Sequence, residues 1–115
     1  MKPSPGPWAL AQRQGWALGL ALIDIDHFKK YNDHYGHAEG DQALRAVAQA
    51  LQAALRRSSD LLFRVGGEEF AVLLMLTEGQ ALEPVLAQLN AAVRDLHRPH
   101  LASPSGQLSI SIGAT

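Results

Sequence analysis

Two stretches of this sequence concentrate carboxylates where an apolar run ends or turns. Asp24-Ile-Asp-His27 closes the run that begins at Trp16, and Gly66-Gly-Glu-Glu69 separates two other apolar runs. Carboxylates gathered on one rim repel each other unless a cation sits among them. Hard oxygen donors of this kind suit Mg²⁺ or Mn²⁺, ions that often hold a substrate's phosphates at the same time. The chemistry in prospect is metal-assisted work on a phosphate ester, provided that the fold brings the two stretches together.

The elements between them predict that it does. Trp16 to Ile25 is apolar enough for a strand buried on both faces. Phe28 to Tyr35 reads as a short helix or turn closed by Gly36. Leu44, Val47, Ala48, Leu51 and Leu55 recur at the spacing of one helical face, with Gln42, Arg45, Gln49 and Gln52 opposite. Arg56 and Arg57 fall in the last turn of that helix, where cations suit the dipole. Leu61 to Val65 and Glu68 to Leu76 read as strands joined by Gly66-Gly67, whose access to positive φ suits a tight hairpin. A second long helix is expected over about residues 80–96, with Pro84 in its first turn. After a Pro/Ser loop from Arg98 to Gly106, Leu108 to Ile112 alternates as a half-buried strand does. Phe28, Phe63 and Phe70 are read as core residues.

The order β-α-β-β-α-β is the split βαβ pattern of an α+β, ferredoxin-like sheet with helices on one side. In a sheet ordered 4-1-3-2, the first strand ends on the edge where the hairpin turns. Asp24 is therefore expected beside Glu68 and Glu69.

Composition narrows the function classes. The 115 residues, 47% of them apolar, allow one domain with a real core. Ten Lys and Arg against eleven Asp and Glu leave a formal charge of -1, which gives no footprint for duplex DNA or an anionic membrane. The absence of cysteine excludes disulfides, thiolate metal clusters and a cysteine nucleophile. The apolar run at Trp16 to Ile23 is shorter than the ~20 residues that span a bilayer. Residues 1–7, rich in Pro, read as a flexible leader, Trp8 to Gln14 as about two helical turns, and residues 8–115 as the domain. His27, His34 and His37 lack the fixed short spacing of a zinc site. A cytoplasmic domain is expected, any membrane anchor lying elsewhere in the parent protein.

Gly66-Gly-Glu-Glu-Phe70 on a hairpin, downstream of Asp24-Ile-Asp-His-Phe-Lys-Lys-Tyr-Asn-Asp33 and Gly36-His-Ala-Glu-Gly-Asp41, resembles the GGDEF family of diguanylate cyclases in its GGEEF form. The resemblance runs from about Leu18 to Ala114 and closes with Ser109-Ile-Ser-Ile-Gly113. It implies a nucleotidyl-cyclase or polymerase-palm type of sheet, and an enzyme that joins two GTP molecules into cyclic di-GMP with release of two pyrophosphates. It also implies a homodimer, each domain holding one GTP, with Mg²⁺ or Mn²⁺ as cofactor.

Residue by residue, Asp24 and Glu68 resemble the family's metal-binding carboxylates, with the Ile25 carbonyl as a further ligand. Glu69 resembles the second signature acid, placed for metal contact or for activating the 3′-hydroxyl. Asn32 and Asp41 resemble the pair that reads guanine. An amide plus a carboxylate complements guanine's N1 and N2 donors and O6 acceptor, whereas adenine would set an acceptor against the carboxylate. Phe28 and Lys29 lie in the phosphate-contacting segment that follows Asp26, and Asp26 itself is read as structural. Gly66 and Gly67 lack Cβ atoms, so nucleotide and backbone can approach closely.

Arg57-Ser-Ser-Asp60 matches the family's RxxD inhibitory site, where cyclic di-GMP binds, and stands at the family's usual spacing before the two glycines. Against the family pattern the chain departs at both ends. It carries Met1 to Pro7 and a short stub where an upstream D-x-LTGLxNRR segment and helix usually stand, and it stops at Thr115 before a final helix with a Lys and an Arg. A domain truncated at both ends is therefore expected. The alternative function is a module that binds cyclic di-GMP or GTP without turnover and regulates an attached domain.

Overall fold

The computed structural model describes residues 17–55, 60–76 and 81–114. Four strands make one antiparallel sheet: β1 (Ala17–Ile25), β2 (Leu61–Gly66), β3 (Glu69–Leu76) and β4 (Ile110–Ala114), in spatial order β2-β3-β1-β4. That is the 4-1-3-2 arrangement expected from the element order. Helices α1 (Phe28–Tyr35) and α2 (His37–Ala54) connect β1 to β2, and α3 (Glu83–Arg94) follows β3.

The core lies between the sheet and the long helices. Ala21, Ile23 and Ile25 of β1 and Phe70, Val72 and Leu74 of β3 point the same way, against Leu44, Val47 and Leu51 of α2 and Leu89 and Val93 of α3. The stripe at i, i+3 and i+7 on α2 is therefore the buried one. Pro84 sits in the first turn of α3, where its missing N–H costs no hydrogen bond.

Because the described helices cover one face only, β1 is not buried on both sides as its apolar run suggested. Leu22 is 56% exposed, and on the same face Phe63, beyond the small and covered Ala71, is 46% exposed. Phe63 is thus a surface residue and not a core one, while Phe28 and Phe70 are buried. Strand apolarity reports propensity as well as burial, and a β-aromatic residue on an open face satisfies the first alone.

The remaining boundaries shift by two or three residues. β4 begins at Ile110; the Leu108 N–H turns to the Arg98 carbonyl, while the Asp26 N–H to Ser109 carbonyl bond carries the β1–β4 register one step past the strand end. α3 is shorter than residues 80–96. The Pro/Ser segment is a closed loop, pinned by a bridge between Pro99 and Gln107. The leader, the stub Trp8 to Gln14, Arg56 and Arg57 lie outside the described residues. Among the described residues, no helix is long and apolar enough to cross a membrane.

Candidate active site

The hairpin between β2 and β3 turns differently from a Gly-Gly loop. Gly66 pairs with Glu69, so the two-residue loop is Gly67-Glu68, and only Gly67 has positive φ, at 45°. Positive φ at the first central residue alone is the φ pattern of a type II′ turn. Glu68 therefore belongs to the turn and β3 starts at Glu69. A register shift between Arg64 and Gly66 marks a bulge, a device that re-aims side chains at a strand end. Arg64 fastens the loop: its Nε and Nη2 donate to the Gly67 carbonyl at 3.1 and 2.9 Å.

This turn meets the end of β1. Asp24 is the cross-strand partner of Glu69, and the Ile25 N–H donates to the Glu68 carbonyl at 3.3 Å. Burial pushes the Asp24 carboxyl above its ordinary value, and the neighbouring Glu68 and Asp26 carboxylates push it the same way, against one backbone hydrogen bond at Ile25. Asp24 and Glu69 also line a recess of about 180 Å³ with Leu22, Ile23, Val65 and Phe70.

Asp26 is occupied differently. Its carboxylate accepts hydrogen bonds from Ser109 Oγ at 2.8 Å and Ser111 Oγ at 2.5 Å, and its N–H donates to the Ser109 carbonyl at 3.0 Å. It ties the end of β1 to β4, which agrees with a structural role.

Asn32 packs against Gly40, the residue before Asp41. The Oδ1 of Asn32 fills the space that a Cβ on Gly40 would need, and it is buried with no hydrogen-bond partner among the described residues. Asp41, the next residue, lines a recess of about 300 Å³ with Leu44, Arg45, Ala48, Arg64 and Phe70. Asn32 borders Gly40 and is not among the residues lining that recess. Lys29 is exposed on the first turn of α1, while the Phe28 side chain is buried and stacked on Tyr31. Phe28 can therefore face a ligand only through its backbone.

The two signature glycines have open space where a Cβ would stand. The need for glycine at 67 is conformational, and at 66 a Cβ would meet nothing among the described residues. Asp60 is 7% exposed at the start of β2 and takes part in an interaction with the rest of the chain. Arg57 lies outside the described residues.

A family model described as diguanylate cyclase, GGDEF domain, matches residues 6–115. The chain belongs to the GGDEF family. Among its relatives, the diguanylate cyclase DgcP of Pseudomonas aeruginosa is 46% identical over 85 residues, 74% of this chain and 12% of DgcP. The GGDEF domain of YfiN (or TpbB) from Pseudomonas aeruginosa has a similar structure, with TM-score 0.78 and 34% identity over 94% of this chain and 66% of that one. The GGDEF domain of DgcB from Caulobacter crescentus, solved in complex with cyclic di-GMP, gives TM-score 0.75 and 32% identity over 94% of this chain and 64% of that one. The chain thus spans only part of the length of the proteins it matches.

In this GGDEF domain the rim gathers carboxylates, hard oxygen donors of the kind that a divalent cation takes. Among the described residues no three His, Asp or Glu side chains form a metal cage, and the rim offers Asp24 and Glu68. Mg²⁺ is characteristically held by one or two carboxylates, with waters and substrate phosphates completing its shell. The like-charge pressure on Asp24 is the kind that a cation relieves. Two features of the site escaped the sequence: the Arg64 clamp on Gly67, and the part played by Gly40. The Arg before the two glycines was visible as a residue type. Its partner, a backbone carbonyl, leaves no trace in a sequence.

Proposed function

We infer that this chain is the catalytic domain of a diguanylate cyclase, condensing two GTP molecules into cyclic di-GMP and two pyrophosphates. The observation that carries this reading is the meeting of Asp24 with the Gly66-Gly-Glu-Glu69 hairpin on one sheet edge, near the recess lined by Asp41.

Asp41 and Asn32 take the guanine edge, a carboxylate and an amide complementing its N1 and N2 donors and O6 acceptor. Lys29 and the backbone that follows Asp26 receive the phosphates. Asp24, Glu68 and the Ile25 carbonyl hold Mg²⁺ or Mn²⁺, which when bound lowers the pKa of the attacking hydroxyl and screens the triphosphate charge. Glu69 takes the proton of a ribose 3′-hydroxyl as its oxygen attacks the α-phosphorus of the other nucleotide. The bond from that phosphorus to the bridging oxygen breaks, and pyrophosphate leaves. Each domain holds one GTP, so a second copy facing the first supplies the other. Cyclic di-GMP returns to Arg57 and Asp60 to inhibit. The domain works in the cytoplasm, where GTP is at hand.

Incubation of the protein with GTP and Mg²⁺, followed by nucleotide chromatography, tests the reading. Cyclic di-GMP and pyrophosphate are the expected products. Binding of nucleotide without conversion would instead make the chain a regulatory binding module.

A further inference from the structure

His27 links β1 to α1 with a left-handed backbone, φ 54° and ψ 36°. Residues other than glycine stay in that region only where their surroundings hold them there. Two donors meet the His27 carbonyl: the Tyr31 N–H at 3.0 Å, closing the first turn of α1, and His100 Nε2 at 3.0 Å. His100 belongs to the closed loop before β4, far away in sequence. It is 0% exposed and lies edge-on to Tyr31, ring centroids 5.1 Å apart.

A carbonyl only accepts, so Nε2 carries the proton. The other ring nitrogen, Nδ1, is buried without a partner among the described residues, a state that costs free energy an aliphatic or phenyl side chain would not incur. The same loop makes two more bonds to α1. Arg98 Nε donates to Tyr31 Oη at 3.1 Å, and the Leu101 N–H donates to Tyr35 Oη at 3.0 Å. The loop thus grips the helix from its N-cap to its last residue. The grip reaches the one stretch, residues 26–29, that the reading above assigns to the phosphates.

We propose that His100 is a positioning residue for the nucleotide's phosphates, holding the His27 turn so that the backbone after Asp26 and the Lys29 side chain face the triphosphate. The proposal rests on the reading of the chain as a GTP-binding domain. A histidine kept only for packing would be replaceable by any ring of its size. A positioning histidine is replaceable only by a side chain that still offers a donor at Nε2.

The test compares His100→Gln, which keeps an amide N–H near Nε2, with His100→Phe, which keeps the ring and loses the donor. Calorimetric titration with GTP and Mg²⁺ and thermal melts are run on both variants and on the unsubstituted protein. His100→Phe is expected to bind about tenfold more weakly, and His100→Gln within about threefold of the unsubstituted protein. Equal affinity in all three, or equal loss in both variants, overturns the proposal while leaving the GTP site standing. An unsubstituted protein that binds no GTP overturns the reading of the site itself. Should His100→Phe not fold, long-range ¹H–¹⁵N spectra of the unsubstituted protein decide. A protonated Nε2 whose signal shifts on adding GTP and Mg²⁺ supports the proposal, and a bare Nε2 or an unmoved signal overturns it.

Discussion

Asp24 stands directly across from Glu69 in the antiparallel register of β1 and β3, and Glu68 precedes that pair in the turn. The three acids reach one rim from positions more than forty residues apart because the hairpin and the end of β1 share a sheet edge. Replacing Glu68 by Gln removes the proposed metal ligand and one repulsive charge together. Glu68→Gln is expected to abolish cyclic di-GMP formation. Its metal-free stability should stay within ~0.5 kcal/mol of the unsubstituted protein, as surface substitutions usually do. Turnover assays and thermal melts check both parts.

The raised pKa of Asp24 gives a pH signature. A carboxyl with a higher pKa folded than unfolded favours the folded state below the unfolded value of about 3.9 and loses that contribution as pH rises through the folded value. At neutral pH the ionised Asp24 is therefore a cost that Asp24→Asn does not carry. The variant is expected to be the more stable at pH 7 without metal, by a margin that shrinks as pH falls through the window above about 3.9. Urea melts at both ends of that window measure it. A margin independent of pH would contradict burial and like-charge repulsion as the cause.

Gly40 tests base recognition without touching a polar group. It lies inside α2, where alanine is intrinsically favoured over glycine by about 1 kcal/mol. A Cβ there overlaps Asn32 Oδ1, the mobile end of a side chain, so the amide swings away and the helix stays. Gly40→Ala is expected to melt at or above the unsubstituted protein's temperature while losing about tenfold or more in GTP affinity. Unchanged affinity would detach Asn32 from the guanine edge.

The parts of this site that were legible in the sequence are those set by periodicity and by motif order. The stripe on α2, the hairpin and the final alternating strand were enough to give the sheet order and so to bring Asp24 to Glu69. What stayed hidden depends on tertiary partners. Phe63 looked like core because aromatic side chains favour strands whether or not the face is covered. Gly66 and Gly67 looked equivalent, yet the bulge before Gly66 moves the loop on by one residue and leaves positive φ to Gly67 alone. His100 read as one residue of a Pro/Ser loop, because its hydrogen-bond partner is 73 positions away.

Arg57 and Asp60 make a separate prediction for the product. A guanidinium meets phosphate or a guanine edge through a bidentate contact, stronger than a neutral hydrogen bond. Arg57→Ala is expected to weaken cyclic di-GMP binding by ~1.5–3 kcal/mol, the range for hydrogen bonds to charged groups. GTP affinity should hardly change, since the proposed GTP site uses neither residue. Calorimetry with each nucleotide separates the two effects.

The most direct measurement of the central claim is nucleotide choice and its dependence on metal. Calorimetric titration of the protein with GTP and with ATP, each with and without Mg²⁺, asks whether the Asp24/Glu68 rim and the Asn32/Asp41 pair act on one ligand. The account predicts that GTP binds in the presence of Mg²⁺, that chelation weakens it, and that ATP binds about a hundredfold more weakly, as expected when buried polar groups are left mispaired. Equal affinity for GTP and ATP, or GTP affinity indifferent to Mg²⁺, would contradict it.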